Sequence, residues 1–369
     1  MNSAKLRTLP FLVLFLPLDI FVAGVILIAD LVLFPLRIFR RRPEELMPID
    51  FSSVTIQILN WDGLHLMKEC LPAVVEAVRR HSELSGRKPE ILVVDNGSRD
   101  GSVDYLRQQF PDVRVITLDR NYGFSLGNNK GFQEVHSDVV VLLNNDMLVA
   151  PDFLQPLLTP FADSRVFAVS SQIFFPDPAL RREETGKTMG TFEKGFFRLW
   201  HDEVRAGDEK RGAIPVFWAG GGSCAIDARK LKAIGGFDSL YHPFYVEDTD
   251  LSWQAWKRGW KCLFAPQSHV VHKHRGTSRP KFGDDFVDGT IRRNQFLFIW
   301  KNVTETGLVL QHLMGLPRIH GRTILQKGAR FEIRSYLKAM TRLPFAVWRR
   351  VANLREYVVS DRDVLRSLQ

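Results

Sequence analysis

Three cysteines in 369 residues, Cys70, Cys224 and Cys262, are too few and too widely spaced for a disulfide framework or a zinc cluster. They read as reduced, buried thiols. Two nucleotide-site signatures are also missing. No G-x-G-x-x-G follows the first predicted strand, and no G-x-x-x-x-G-K-[ST] occurs anywhere. A phosphate group here is therefore not held by a glycine-rich loop. The middle of the chain lacks net charge. Of the total +9, residues 301–369 supply +8 (13 Lys/Arg against 5 Asp/Glu) and residues 1–50 supply +1 (6 against 5), leaving residues 51–300 neutral. A neutral body with a basic tail argues against a nucleic-acid groove and for a globular domain beside an anionic surface. Long apolar runs are scarce too. There is one, which argues against a channel built from several spans.

That run is residues 9–36, "LPFLVLFLPLDIFVAGVILIADLVLFPL", with Asp19 and Asp30 its only charges. A helix over Phe11–Leu36 is about 39 Å long, enough to cross a hydrocarbon core of about 30 Å with tilt. Arg37, Arg40, Arg41 and Arg42 follow it, against Lys5 and Arg7 before it. This bias places the body on the cytoplasmic side of the inner membrane. A mid-bilayer Asp costs on the order of 3 kcal/mol, and Pro17 and Pro35 interrupt the helical pattern. A segment lying in the interface therefore competes with a spanning one. Near the other end, "RSYLKAMTRLPFAVWRRVANLREY" spaces Leu337, Met340, Leu343 and Val347 as a basic amphipathic helix does. The organisation expected is a membrane anchor with a basic juxtamembrane segment (1–50), an α/β domain (51–300) and a basic helical, membrane-associated region (301–369).

Within 51–300, short aliphatic runs alternate with helical patterns. Strands are predicted at Val54–Leu59, Ile91–Val94, Val113–Leu118 and Val139–Leu143, with helices over 65–80, 102–109 and 129–136. The alternation implies a mostly parallel sheet with helices on both faces, and such sheets bind ligands at the carboxyl ends of their strands. Those ends are polar. The first leads to Asn60 and Asp62, the second to Asp95, the third to a loop with Asn121 and Asn128, and the fourth to Asn144-Asn145-Asp146. One Asn or Asp at a strand end is ordinary turn chemistry. Four ends carrying them mark a site. With no glycine-rich loop, a divalent cation held by Asp146 is the other common way to grip a diphosphate.

A second block opens with Gly220-Gly221-Gly222, which permit close backbone approach, and continues to Glu247-Asp248-Thr249-Asp250 at the start of a helix. Acids favour helix N-termini, but three in four residues exceed what capping needs.

The pieces "ILVVDNGSRDGS", "NYGFSLGNNKGF", "LLNND", "GGGSCAIDARKLKAIGGFD", "FYVEDTDLSWQAWKRGW" and "HVVHKHRGTS" resemble, in order, the family 2 inverting glycosyltransferases of the GT-A fold, notably their rhamnosyltransferase-like bacterial branch. The resemblance covers about residues 54–278 and names no donor sugar. It implies that Asp95 contacts the base or ribose of a UDP- or dTDP-sugar. It places Asn60 and Asp62 in the first nucleotide loop, and Asn121, Asn128, Asn145 and Gly221 around the donor. Asn144-Asn145-Asp146 stands where the family carries its metal-binding acids, with Asn144 replacing the first. Asp146 would then bind Mg²⁺ or Mn²⁺ with His272, or with His274 as the alternate. Asp248 would be the general base, supported by Glu247 and Asp250. The acceptor would be a lipid-linked or polysaccharide hydroxyl. The rival reading, a non-catalytic nucleotide-sugar-binding subunit of a polysaccharide assembly complex, rests on Asn144; the retained Asp146, Glu247 and Asp248 oppose it.

Overall fold

The computed structural model describes residues 3–32, 35, 48–179, 182, 184–273 and 281–368. The Arg37–Arg42 cluster and His274 lie outside the described residues. The body is a mixed α/β fold around a nine-stranded sheet. Its first half alternates β1 (Val54–Asn60), α2 (Leu64–Ser85), β2 (Glu90–Asp95), α3 (Ser102–Gln109), β3 (Arg114–Thr117), α4 (Gly123–Phe132) and β4 (Val139–Asn144), preceded by a long helix α1 (Ser3–Val32). These strands lie parallel in the order β3-β2-β1-β4. The reason is visible in β4. Val139, Val141 and Leu143 pack into one hydrophobic cluster while Val140 and Leu142 pack into the other, so the strand is covered on both faces.

The second half closes the sheet differently. After β5 (Met147–Val149), α5 (Leu154–Leu158) and β6 (Val166–Phe174), a hairpin of β7 (Thr188–Glu193) and β8 (Phe196–His201) stands apart as a two-stranded sheet. Short β9 (Ile214–Pro215) precedes β10 (Ser223–Asp227), which runs antiparallel between β4 and β6. Helices α6 (Ala228–Ile234) and α7 (Glu247–Lys257) lead to β11 (Lys261–His272), parallel to β6 and antiparallel to β5.

Helix α8 (Asp284–Asn302) runs against the body. It leads into α9 (Thr306–Lys327), α10 (Ala329–Met340), α11 (Leu343–Asn353) and α12 (Asp361–Ser367). Helices α10 and α11 pack on α8, and α1 packs on α9 and α11. Within α1, Pro10–Val32 is the one segment among the described residues long and apolar enough to cross a membrane. The helix continues through Pro17 without a break.

Candidate active site

Strand register assembles the first wall of the site. Asn60 sits directly beside Asp95, and Leu59 beside Asn144, at the carboxyl ends of β1, β2 and β4. The Asn60 amide donates to Asp95 Oδ1 (3.2 Å) and to Ser98 Oγ (3.3 Å), and its oxygen accepts from Asn145 Nδ2 (2.9 Å). Asp95 Oδ2 accepts from the Ser98 N–H at 2.9 Å. The loop after β1 is tied to the loop after β2. Ser98 Oγ accepts from the Asp62 N–H (2.9 Å), and Asp62 Oδ1 accepts from the Arg99 N–H (2.8 Å). Asp62 holds a left-handed backbone, φ 48°, which Asp tolerates better than most residues. Gly63 is required at the next position. A Cβ there would overlap the Asn145 amide and lie 2.6 Å from Asn60 Oδ1. Gly63→Ala is therefore expected to break the Asn60–Asn145 bridge at a cost of about 1–3 kcal/mol. Thermal unfolding and donor titration check this: both should worsen.

Asn121 and Asn128 are used internally. Asn121 Oδ1 accepts from Asn96 Nδ2 (2.9 Å) and from the Gly123 N–H (2.7 Å), which shapes the turn into α4. Asn128 is buried. Its oxygen accepts from Gln57 Nε2 (3.0 Å) and its amide donates to the Phe124 carbonyl (3.0 Å), fastening α4 to β1. Asn128 braces the wall from behind, whereas Asn121 is exposed and commits only its oxygen.

The β5–β11 ladder builds the second wall. Pairing of Met147 with His272 brings Asp146 against the imidazole, with Nε2 3.0 Å from Asp146 Oδ2. The other ring nitrogen meets Glu184 Oε2 at 3.1 Å. Burial opposes charge on this imidazole, but its hydrogen bonds to Asp146 and Glu184 outweigh burial and push its pKa up to about 10. Asp146 is 6% exposed, and its Oδ1 has no hydrogen-bond partner among the described residues. Such an oxygen costs free energy unless something binds it. A cation displaces the proton that these bonds hold on the ring: the Asp146 oxygen with the deprotonated imidazole suits Mn²⁺, and the oxygen with diphosphate oxygens suits Mg²⁺. No group of three or more His, Cys, Asp or Glu at ligating distance occurs among the described residues. Two protein ligands plus diphosphate oxygens therefore fit better than an all-protein cage. Glu184 was not legible in the sequence. It lies in the long β6–β7 connection, with no spacing that marks it as a partner for His272.

Helix α7 supplies the third wall. Glu247 is 6% exposed, with Oε2 unpartnered among the described residues, whereas Asp248 is partly exposed. Asp248 Oδ1 accepts from the Thr249 N–H (2.7 Å), and Oδ2 from the Gly221 N–H (3.4 Å). The next residue, Gly222, accepts from the Asn144 N–H at 2.9 Å, so the glycine segment joins the α7 acid to the end of β4. A Cβ at Gly221 would come within 3.2 Å of the Phe124 ring, a tight contact that the ring would have to yield to. Burial and the adjacent Asp248 charge push the Glu247 carboxyl well above the ordinary range. Burial also raises Asp248, opposed by the Thr249 and Gly221 N–H donors. Two adjacent carboxylates in such a place do not both ionise readily. The donors on Asp248 make it the ionised member and leave the proton on Glu247. Asp250 stands apart: it is buried and bonded to Tyr241, Lys301, Asn302 and Gln254.

The turn that presents these acids is strained. Tyr245 and Val246 both have left-handed backbones, φ 69° and 76°, uncommon for such side chains. Arg293 and Arg342 bond its His242 carbonyl, and Asn294 holds the rest. Asn294 Nδ2 on α8 reaches the carbonyls of Tyr241 (3.0 Å), Phe244 (3.0 Å) and Tyr245 (2.8 Å). Nothing in the sequence around Asn294 signals this role, because its partners lie some fifty positions away. Asn294→Leu keeps the volume and removes the donors. It is expected to lower kcat by about tenfold to a hundredfold while donor KM holds, since a misplaced base slows the chemical step and leaves donor binding intact. Steady-state kinetics and thermal unfolding of the parent and this variant separate positioning from general unfolding.

Comparison with known proteins bears on the fold that carries these residues. The family described as Glycosyl transferase family 2 matches residues 64–218. The N-acetylglucosaminyl-diphospho-decaprenol L-rhamnosyltransferase of Mycobacterium tuberculosis is 26% identical over 216 residues, covering 52% of this chain and 69% of that protein. The undecaprenyl-phosphate 4-deoxy-4-formamido-L-arabinose transferase of Pseudomonas syringae is 34% identical over 116 residues, 30% of this chain and 32% of that protein. Among solved structures, GalNAc-T7 with UDP, GalNAc and Mn²⁺ superposes with a TM-score of 0.53 at 17% identity, covering 79% of this chain and 58% of that one. That likeness is one of fold.

Proposed function

The chain is a family 2 glycosyltransferase of the GT-A fold, and from that premise we propose that it performs an inverting, single-displacement transfer from a UDP- or dTDP-sugar to a hydroxyl of a lipid-linked or cell-envelope glycan. The observation that carries this reading is the placement of Asp248. A partly exposed, hydrogen-bonded carboxylate is linked through Gly221-Gly222 to the Asn144 N–H at the end of β4, two residues before Asp146.

In the proposed step, ionised Asp248 takes the proton of the acceptor hydroxyl as its oxygen attacks the anomeric carbon. The bond from that carbon to the diphosphate oxygen breaks, and the nucleoside diphosphate leaves with the electron pair. Glu247 stays protonated and fixes the start of α7. Asn60, Asp62 and Asp95 receive the nucleoside, with Asn128 bracing that wall. Asn145 and Gly221 border the sugar. Asp146 and His272 would hold Mg²⁺ or Mn²⁺, which when bound neutralises charge on the leaving diphosphate. Residues 51–300 would form the transfer unit, and the flanking segments would keep it at the cytoplasmic face of the inner membrane. Two features support a membrane-borne acceptor: the relatives above are named for polyprenyl-linked substrates, and α1 presents an apolar surface.

A panel of UDP-, dTDP- and GDP-sugars, with Mn²⁺ present, tests the reading by thermal shift and by acceptor-dependent release of nucleoside diphosphate. A UDP- or dTDP-sugar should raise Tm and be consumed. Absence of both effects for every UDP- and dTDP-sugar contradicts the reading.

A further inference from the structure

Helix α1 is built inside out. In a soluble amphipathic helix the charged face meets water and the apolar face meets protein. In α1 both carboxylates face protein. Phe15, Asp19, Val22, Ile26 and Asp30 recur at steps of three and four, and of these Phe15, Asp19, Val22 and Ile26 are buried. The opposite face leaves Val13, Leu14, Ile20, Phe21, Ile28 and Leu31 exposed, Phe21 by 58% and Ile28 by 63%.

The two acids are met by different C-terminal helices, Asp19 by two of them and Asp30 by a third. Asp19 Oδ1 accepts from Tyr336 Oη of α10 (2.7 Å) and lies 3.2 Å from His320 Nε2 of α9. His320 Nδ1 lies 2.7 Å from Glu332, which Arg292 of α8 grips with two bonds (2.9 and 2.6 Å). Asp30 is gripped in the same way by Arg350 of α11 (2.7 and 2.6 Å), and Arg350 is fully buried. The two acids are eleven positions apart, about three turns and roughly 16 Å along α1. The helices that hold them are themselves fixed to the transfer domain. Arg349 of α11 bonds Asp238 (2.6 Å), and Arg342, just before α11, bonds the Leu240 carbonyl (2.6 Å).

A helix fastened at two points three turns apart to a charged, domain-bound scaffold cannot also leave that scaffold to cross a bilayer. Doing so would strip Arg350, His320 and Glu332 of their partners and carry two carboxylates into hydrocarbon.

From this, and resting on the membrane-borne acceptor proposed above, we infer that α1 and the C-terminal helices form a monotopic docking module. Helix α1 lies in the plane of an anionic lipid surface with its outer face immersed, and both its ends are on the side of the transfer domain. The neighbouring helices carry the matching chemistry. Met314 on α9 and Phe345 and Trp348 on α11 are exposed, and Trp favours the headgroup level. Arg318 and Arg322 on α9 and Arg330, Arg334 and Lys338 on α10 are exposed among them, as anionic headgroups require. Through His320, Glu332 and Arg292, α1 is also tied to the helix whose Asn294 holds the turn before Asp248.

Two experiments on the full chain test the inference. In the first, the chain is centrifuged with phosphatidylglycerol vesicles and with phosphatidylcholine vesicles. Binding should be about tenfold or more tighter to the anionic set. The Phe21→Glu/Ile28→Glu double variant should lose about tenfold or more of that binding with an unchanged Tm. Binding equal to the parent's overturns the inference. So does a change from dimer to monomer with vesicle binding intact, which makes the face a contact between copies. In the second, Ser3→Cys and Lys210→Cys are labelled with a membrane-impermeant maleimide in sealed vesicles of known orientation. The native thiols at Cys70, Cys224 and Cys262 are buried and leave the background low. Labelling from the same side is expected. Labelling from opposite sides means that α1 spans, which removes the inference and leaves the membrane-borne acceptor standing. Failure to bind either vesicle removes both.

Discussion

Asp248→Asn is expected to lower kcat by about a thousandfold, within the usual range for a lost general base, while donor affinity stays near that of the parent. The substitution keeps the side-chain shape and, with its oxygen turned to the Thr249 N–H, the shorter of the two backbone bonds; it gives up the long bond from the Gly221 N–H together with proton acceptance. The pH dependence follows from the same carboxylate. Burial raises its pKa, and the base works only when ionised, so activity is lost as pH falls through a midpoint above the ordinary carboxylate range. Stability moves the other way. A carboxyl whose folded pKa lies above its unfolded one contributes stability that is complete below the unfolded pKa and is lost as pH rises through the folded one. At neutral pH the ionised Asp248 is therefore a burden on the fold, and Asp248→Asn should melt at the same temperature or higher. Lost activity with equal or raised Tm separates a base from a structural acid. Retained kcat would remove the assignment.

Asp146→Asn is expected to weaken donor binding in Mn²⁺ by about a hundredfold. It removes the one carboxylate that contacts His272 Nε2, together with the oxygen left unpartnered in the site. Three readings of donor titration check it. The parent should lose affinity in excess EDTA. The variant should be weak from the start. EDTA should change the variant little further. Donor binding by the parent that is indifferent to EDTA would show that Asp146 serves the fold and not the diphosphate.

Much of the sheet was legible because its strands are aliphatic throughout. The run Val139–Leu143 can only be a strand covered on both faces, and the register of β1, β2 and β4 then brings Asn60, Asp95 and Asn144 together. The order of polar strand ends along the chain thus carried the first wall of the site. Asn144, which in the sequence resembles a lost acid, gains a second role in space: its backbone N–H bonds the Gly222 carbonyl and ties the end of β4 to the glycine segment bonded to Asp248. Asn128 reads as a pocket residue, but hydrogen bonds to Gln57 and Phe124 occupy its amide, and local sequence does not reveal such partners; Asn121 is exposed and commits only its oxygen to Asn96 and Gly123.

The residues that were not legible share one property. Glu184, Asn294, Arg292 and Arg350 act through partners 40 to 320 positions away. Periodicity reports an element's own face and not what meets it. Asp19 and Asp30 show the difference most plainly. In the sequence they are misplaced charges in an apolar helix. In the fold they are the points at which that helix is fastened.

The central claim is a single displacement at the anomeric carbon, and the anomeric configuration of the transferred sugar tests it most directly. The purified chain, given a UDP- or dTDP-sugar that it consumes and a polyprenyl-linked glycan acceptor, yields a product whose new glycosidic bond can be assigned by NMR. The account predicts a configuration opposite to that of the donor. A product with the donor's configuration would require two displacements through a second nucleophile, and would contradict it.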